Sequence, residues 1–304
     1  MSNYENTQLT NVATYDASNM VFSEPMNGSI PDSKPAINFK RILISTRNPD
    51  GSTGELVLPT TRLFSFGVSE NTSQETGKVN GYTFPICLWN KDGASDEEKQ
   101  WVNCFNNIVD RCVDHLVDNR DDIEKYELEK SDLKKFNPLY YKREKFTGPD
   151  GKTGLRVVPG TGPTLYAKLI FSKKNDKFIT QFFDVNDQPM NVLDLLGKYC
   201  YCTGAVKIES IFIGNKISLQ VKLYEAVIEP VQTGMGRLLK RVPQSKILQN
   251  KTTPVPAPPS EDSYNSDIGS IQDSDSDSDS ELFVPQNKPE PKKRATRGRG
   301  KAKK

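Results

Sequence analysis

Between residues 164 and 227 apolar and polar positions alternate with the two-residue period of strands that bury one face. In Thr164-Leu-Tyr-Ala-Lys-Leu-Ile-Phe-Ser172, the residues Leu165, Ala167, Leu169 and Phe171 share one side, which leaves Tyr166 and Lys168 on the other. In Lys216-Ile-Ser-Leu-Gln-Val-Lys-Leu-Tyr224 the inward set is Ile217, Leu219, Val221 and Leu223, and Lys222 and Tyr224 face out. Tyr199, Tyr201 and Lys207 repeat the arrangement on a third strand. The pattern predicts strands over 164–172, 178–184, 199–213 and 216–227, the last two joined by Gly214-Asn215 as a two-residue hairpin with positive φ. Upstream, strands are expected at 37–46, 55–58, 62–68 and 78–90, punctuated by Asn-Pro-Asp-Gly and similar turn residues.

The period then changes. Ser95 with Glu98 three residues on forms a capping box, and Trp101, Phe105, Ile108, Cys112 and Leu116 make a helical apolar stripe to about residue 119. The charged stretch Asp121 to Lys135 extends this helix as a solvated segment, giving a helical insertion over 95–135. A mobile loop from Asn137 to Val158 follows, in which Tyr140, Tyr141 and Phe146 interleave with Lys142, Arg143, Lys145, Lys152 and Arg156.

Composition divides the chain. Residues 1–36 read as an irregular arm rich in Asn, Ser, Thr and Pro, and 37–232 as the folded domain. A Pro-rich linker spans 233–260, an acidic tail 261–284 and a basic arm 285–304. The tail cannot bury a core and is expected to be disordered. Residues 1–251 carry 32 basic and 30 acidic side chains, so polyanion binding by the folded part requires a local patch. Five cysteines without paired spacing fit a reducing compartment, and neither a leader nor a membrane span is expected.

Tyrosine beside lysine on an outer strand face suits unpaired bases, which stack on rings while ammonium groups meet phosphates. The candidate contacts are Tyr140, Tyr141, Lys142, Arg143, Tyr166, Lys168, Tyr199, Tyr201, Lys207, Lys222 and Tyr224. Other chemistry finds little support. Gly148-Pro-Asp-Gly-Lys-Thr153 has two residues where a phosphate loop needs four, and reads as a turn. The Asp-Ser repeat from Asp273 to Glu281 lacks the glycine and closing glutamate of a calcium loop; its serines 274, 276, 278 and 280 suit phosphorylation. His115 is the single histidine, which leaves histidine triads and histidine metal sites without partners. Cys200 and Cys202 share a strand face with Val206 and Ile208 and read as core. We therefore expect no enzyme activity, cofactor or metal. In the tail, Leu282 and Phe283 form a candidate partner anchor; Lys292, Lys293, Arg294, Arg297 and Arg299 form a basic arm, part import-signal-like and part AT-hook-like.

The segments Gly162-Pro-Thr-Leu-Tyr-Ala-Lys-Leu-Ile170, Asn137-Pro-Leu-Tyr-Tyr-Lys142 and Ala205 to Val227 resemble a protein family of nucleocytoplasmic large DNA viruses, giant amoebal viruses included. That family is in turn similar to the phage T7-type single-stranded DNA-binding proteins. The resemblance implies a mainly β fold, an OB-type five-stranded antiparallel barrel with an inserted helix and extra strands. It also implies an acidic tail that competes with DNA and recruits replication proteins. One departure stands out: Phe283 closes the acidic block, yet a basic arm follows it. The expectation is a sequence-independent single-stranded DNA-binding protein of viral replication, recombination or repair, without membrane partners and compatible with a homodimer. Its place would be a cytoplasmic viral factory or the host nucleus, with packaging into the virion left open. The alternatives are a DNA-packaging protein driven by the basic arm and a scaffold that meets only proteins.

Overall fold

Strand alternation leads to closure. In a computed structural model describing residues 6–30, 37–73, 77–90, 93–148, 153–172 and 175–231, eight principal strands form: β1 (Ile37–Arg47), β2 (Thr53–Pro59), β3 (Leu63–Ser65), β4 (Val79–Cys87), β5 (Thr164–Leu169), β6 (Gln181–Asp184), β7 (Cys200–Ile213) and β8 (Ile217–Pro230). β7 pairs antiparallel with β3, β3 with β4, and β4 with β5. β5 then meets β8 in parallel, and β8 returns antiparallel to β7. Numbered within this ring by chain order, the strands run 1-2-3-5-4-1, the Greek-key order of an OB barrel. Its interior is filled by the inward positions of each strand, among them Leu63, Phe84, Ile86, Leu165, Ala167, Leu169, Cys202, Val206 and Leu223.

β7 is longer than the barrel needs. Its first residues pair with β3, Ala205–Ile208 pair with β2, and Ser210–Ile213 pair with β1. Because β1 and β2 also pair with each other, a second, three-stranded curl closes on the same strand around Ile42, Ile44, Leu56, Leu58 and Ile211. Register shifts at Ala205/Val206 and Ile208/Ser210 supply the bends this sharing requires.

Helix α1 (Asp96–Asp118) carries the capping box: Ser95 Oγ accepts from the Glu98 N–H at 3.1 Å, and Glu98 Oε2 accepts from the Ser95 N–H at 2.9 Å. Its stripe packs on the sheet, with Trp101 stacked on Phe105 at 5.3 Å and the Trp101 indole donating to the Pro59 carbonyl at 3.0 Å. The helix does not continue through Asp121 to Lys135. Apolar residues there fall at Ile123, Leu128, Leu133 and Phe136, a spacing that no helix face gathers, and successive turns bury all four instead.

Three further expectations are corrected. The N-terminal arm is not irregular: Gln8–Leu9 pairs with β2, while Met20–Phe22 and Met26–Ile30 pair with β1. There Phe22 stacks on His115 at 3.9 Å, and the Tyr15 hydroxyl meets Thr46 Oγ1 at 3.0 Å, burial pushing its pKa up to about 12. The β7–β8 link is a three-residue turn, with Ile213 opposite Ile217, and neither Gly214 nor Asn215 takes a positive φ. The described residues of the stretch 137–158 do not form a loop. Leu139–Tyr140 pairs with β5, and Arg143–Thr147 and Thr153–Val157 form a two-stranded ribbon of their own. The linker, the acidic block, Leu282, Phe283 and the basic arm lie outside the described residues.

Candidate nucleic-acid interface

OB barrels bind oligonucleotides on the face of their second and third strands, which here are β4 and β5. Pairing register lines up the outward residues across this wall. Tyr201 lies opposite Phe64, Phe64 opposite Cys87, Cys87 opposite Thr164, and Thr164 opposite Tyr140. At a strand spacing of ~4.8 Å this row crosses about 19 Å of surface. Phe66 and Tyr199 widen it at one end. Phe64, Phe66 and Tyr199 meet edge-on at 5.3–5.8 Å, with Phe66 and Tyr199 well exposed. At the other end Tyr166, paired with Pro85, stands edge-on to Tyr140 at 6.2 Å. Burial and the neighbouring Tyr140 hydroxyl raise the Tyr166 pKa, so the phenol stays neutral.

Two residues beyond Tyr166 a second row crosses the same wall. Thr83 pairs with Lys168, Lys168 with Lys222, and Lys222 with Lys207. The expectation that all three lysines face solvent fails for two of them. Lys207 and Lys222 are only 7% and 3% exposed, because β2 and the bulge at Glu209 cover this part of the sheet. Lys207 Nζ lies 2.7 Å from Glu55 Oε1 and 3.9 Å from Glu209, and Lys222 Nζ lies 3.5 Å from Glu209. Arg41 joins the network at 3.7 Å from Glu209. These two lysines hold β2, β7 and β8 together, and Lys168 remains half-exposed at the border of the aromatic row.

The other candidates scatter. Tyr201 has one ring face covered by the Arg62 guanidinium at 3.7 Å, itself held by Glu229. Tyr141 packs toward the core, and Lys142 and Arg143 are exposed at the foot of the ribbon. Tyr224 is the extra residue of the bulge between Leu223 and Glu225, and lies on the far side of the lysine row from Tyr166. Phe64 and Phe66 are absent from the sequence-based set. Their alternation with buried Leu63 and Ser65 carries the same signal as Tyr166 and Lys168, on a strand too short to draw notice.

Among the described residues no group of three or more His, Cys, Asp or Glu could hold a metal ion, and no helix is long and apolar enough to cross a membrane. Burial raises the thiol pKa of Cys104 and Cys200 to about 11 and of Cys112 to about 12, which keeps them protonated.

Fold and face together define a class: an OB-ordered barrel protein whose outer wall carries aromatic rings bordered by cations. The chain belongs to the family described as protein of unknown function (DUF2738), which matches residues 13–278. It is 26% identical over 194 residues to uncharacterized protein 007R of Invertebrate iridescent virus 3, covering 62% of this chain and 38% of that protein. It is 29% identical over 168 residues to the early 31 kDa protein of Frog virus 3, covering 55% of this chain and 60% of that protein. The chain thus spans less than two thirds of the length of either relative, and both are proteins of large DNA viruses. Among solved structures it is similar to the crystal structure of gp2.5, a single-stranded DNA-binding protein encoded by bacteriophage T7. That likeness covers 64% of this chain and 100% of the other at 14% identity and a TM-score of 0.28, too slight to bear on function.

Proposed function

We propose that this protein binds single-stranded DNA without sequence preference, in the service of viral DNA replication, recombination or repair. The observation that carries the reading is the placing of aromatic rings at both ends of one outward row on the wall an OB barrel offers to oligonucleotides, Tyr201, Phe64, Phe66 and Tyr199 on one side of Cys87 and Thr164 and Tyr140 and Tyr166 on the other. Unpaired bases stack on Phe66, Tyr199, Tyr166 and Tyr140, the rings with an accessible face, and phosphates run past Lys168 and Lys142. A row of about 19 Å matches the lower end of the roughly 4–16 nucleotides that one OB fold occupies. Every base has a π-face, so such a site tolerates any sequence.

In the same reading the acidic block from Asp273 to Glu281 competes for this wall as a tethered polyanion, at an effective concentration in the millimolar range. Leu282 and Phe283 then become available to replication partners when DNA displaces the tail.

The test is fluorescence anisotropy of a labelled ~30-nucleotide strand against the parent, Tyr166→Ala and the Phe66→Ala/Tyr199→Ala pair, with folding checked by circular dichroism. Each lost stacking contact is expected to cost ~1–3 kcal/mol, a roughly 5- to 150-fold weakening. Unchanged affinity in folded variants would remove this wall from the function. Binding to duplex as tight as to single strand, abolished by deleting residues 288–304, would favour the packaging alternative.

A further inference from the structure

The ribbon Arg143–Thr147/Thr153–Val157 is the part of the described structure that the aromatic wall does not explain. Register sets its two faces. On one, Glu144 pairs with Arg156 and Phe146 with Gly154. That face is satisfied internally: the Arg156 Nε and Nη2 each lie 2.8 Å from Glu144 Oε1, and the guanidinium sits 5.4 Å from the Phe146 ring centre. The ring in turn covers Gly154, where an added Cβ would come within 3.0 Å of it. On the opposite face Arg143 pairs with Val157 and Lys145 with Leu155. This face is left open. Leu155 is 63% and Val157 43% exposed, and neither Arg143 nor Lys145 has a carboxylate partner among the described residues.

The ribbon pairs with no strand outside itself among the described residues, and a lone two-stranded hairpin is marginally stable. Its open face therefore offers aliphatic groups flanked by cations, held ready for a ligand of matching chemistry. An unpaired strand is a poor match, because the ribbon's one aromatic ring, Phe146, lies on the closed face under Arg156. A duplex groove is a better one. It presents two rails of phosphate around a floor that includes thymine methyl groups, and a major groove ~12 Å wide admits a two-stranded ribbon. Five residues per strand give a reach of about 16 Å, near half a turn of duplex. Position adds to the match. The ribbon closes at its foot through the Val158 N–H donating to the Lys142 carbonyl at 2.9 Å, two residues after Tyr140, which ends the row across the wall.

We propose that the ribbon docks in the groove of double-stranded DNA, so that the protein seats at junctions where a single strand leaves a duplex. The inference rests on the single-strand reading of the aromatic wall. It predicts a preference that neither ligand shows alone. Anisotropy is measured with a single strand, a blunt duplex, and a duplex bearing the same length of single-stranded tail, using the parent and Leu155→Ser/Val157→Ser. The parent is expected to bind the tailed duplex about tenfold tighter than the single strand. The variant should lose that preference while keeping its single-strand affinity. A second variant, Lys145→Ser, should lower the salt slope on the tailed duplex by about one and leave the slope on the single strand unaltered. Equal parental affinity for the two ligands, or a junction preference that survives in the folded double variant, would overturn the proposal. Absence of single-strand binding by the parent would instead strike the reading beneath it.

Discussion

Lys168, Lys207 and Lys222 occupy equivalent outward positions in their strands, yet they have different surroundings. No periodicity separates them, because what buries Lys207 and Lys222 comes from elsewhere: Glu55 on β2, and Glu209 in a bulge. Removing one partner of a buried pair strands the other, so Glu55→Ala should cost about 3–5 kcal/mol in chemical denaturation. Lys207→Met should likewise lower stability, and any effect on DNA binding should follow unfolding rather than the salt slope. His115 gives a pH test. Burial against Phe22, then the nearby Arg111, holds its pKa below the ordinary value, with Asp118, Glu24 and Asp122 pulling weakly the other way. The unfolded chain therefore takes up the proton first as pH falls through about 6.5, and stability is lost from there down to the lower folded value. Above that window the contribution is complete. Thermal melts between pH 7 and pH 5 should show a smaller loss in His115→Gln than in the parent.

At the scale of elements, the sequence announces what local chemistry controls and hides what pairing controls. The helix is legible to its cap, since Ser95, Glu98 and the stripe from Trp101 to Leu116 are all contiguous signals. Glu98 is buried and also accepts from the Asn90 side chain, so Ser95→Ala should cost at the upper end of ~0.5–2 kcal/mol, read as a lowered thermal midpoint. The ribbon is hidden because its strands have no buried face, and without one the alternation of Arg143, Lys145, Leu155 and Val157 looks like loop polarity. The N-terminal strands are hidden for a related reason: they join an existing sheet edge and need no apolar alternation of their own. Phe64 and Phe66 escape a reading by pattern because three residues of strand carry too little of it, although register places Phe64 between Tyr201 and Cys87 and ring contacts put Phe66 beside it.

For the whole molecule, the near-neutral folded part and the two charged tail segments predict opposite effects of truncation. Deleting residues 261–283 should tighten single-strand binding most at low salt and steepen its salt dependence, because the displaced tail no longer offsets the counterion release, as measured by anisotropy at two ionic strengths. Unchanged or weaker affinity would refute competition by the acidic block. An antiparallel β domain is readable from strand alternation and turn residues, and the class of barrel from the family resemblance. Its closure is not, because a parallel contact between residues 168–169 and 222–223 leaves no local trace.

That closing contact has a kinetic consequence. The residues that pair between β5 and β8 are more than fifty positions apart in sequence, and β7, which completes both the barrel and the smaller curl, is among the last of the described strands to leave the ribosome. Until it arrives, neither closed unit can finish, and β1, β2, β3 and β4 wait with unpaired edges. Folding dominated by such distant pairings belongs to the millisecond-to-second range of β proteins rather than the microseconds of helical bundles. Slow refolding in a single concerted phase, with no separately stable half, is the behaviour that a shared strand imposes.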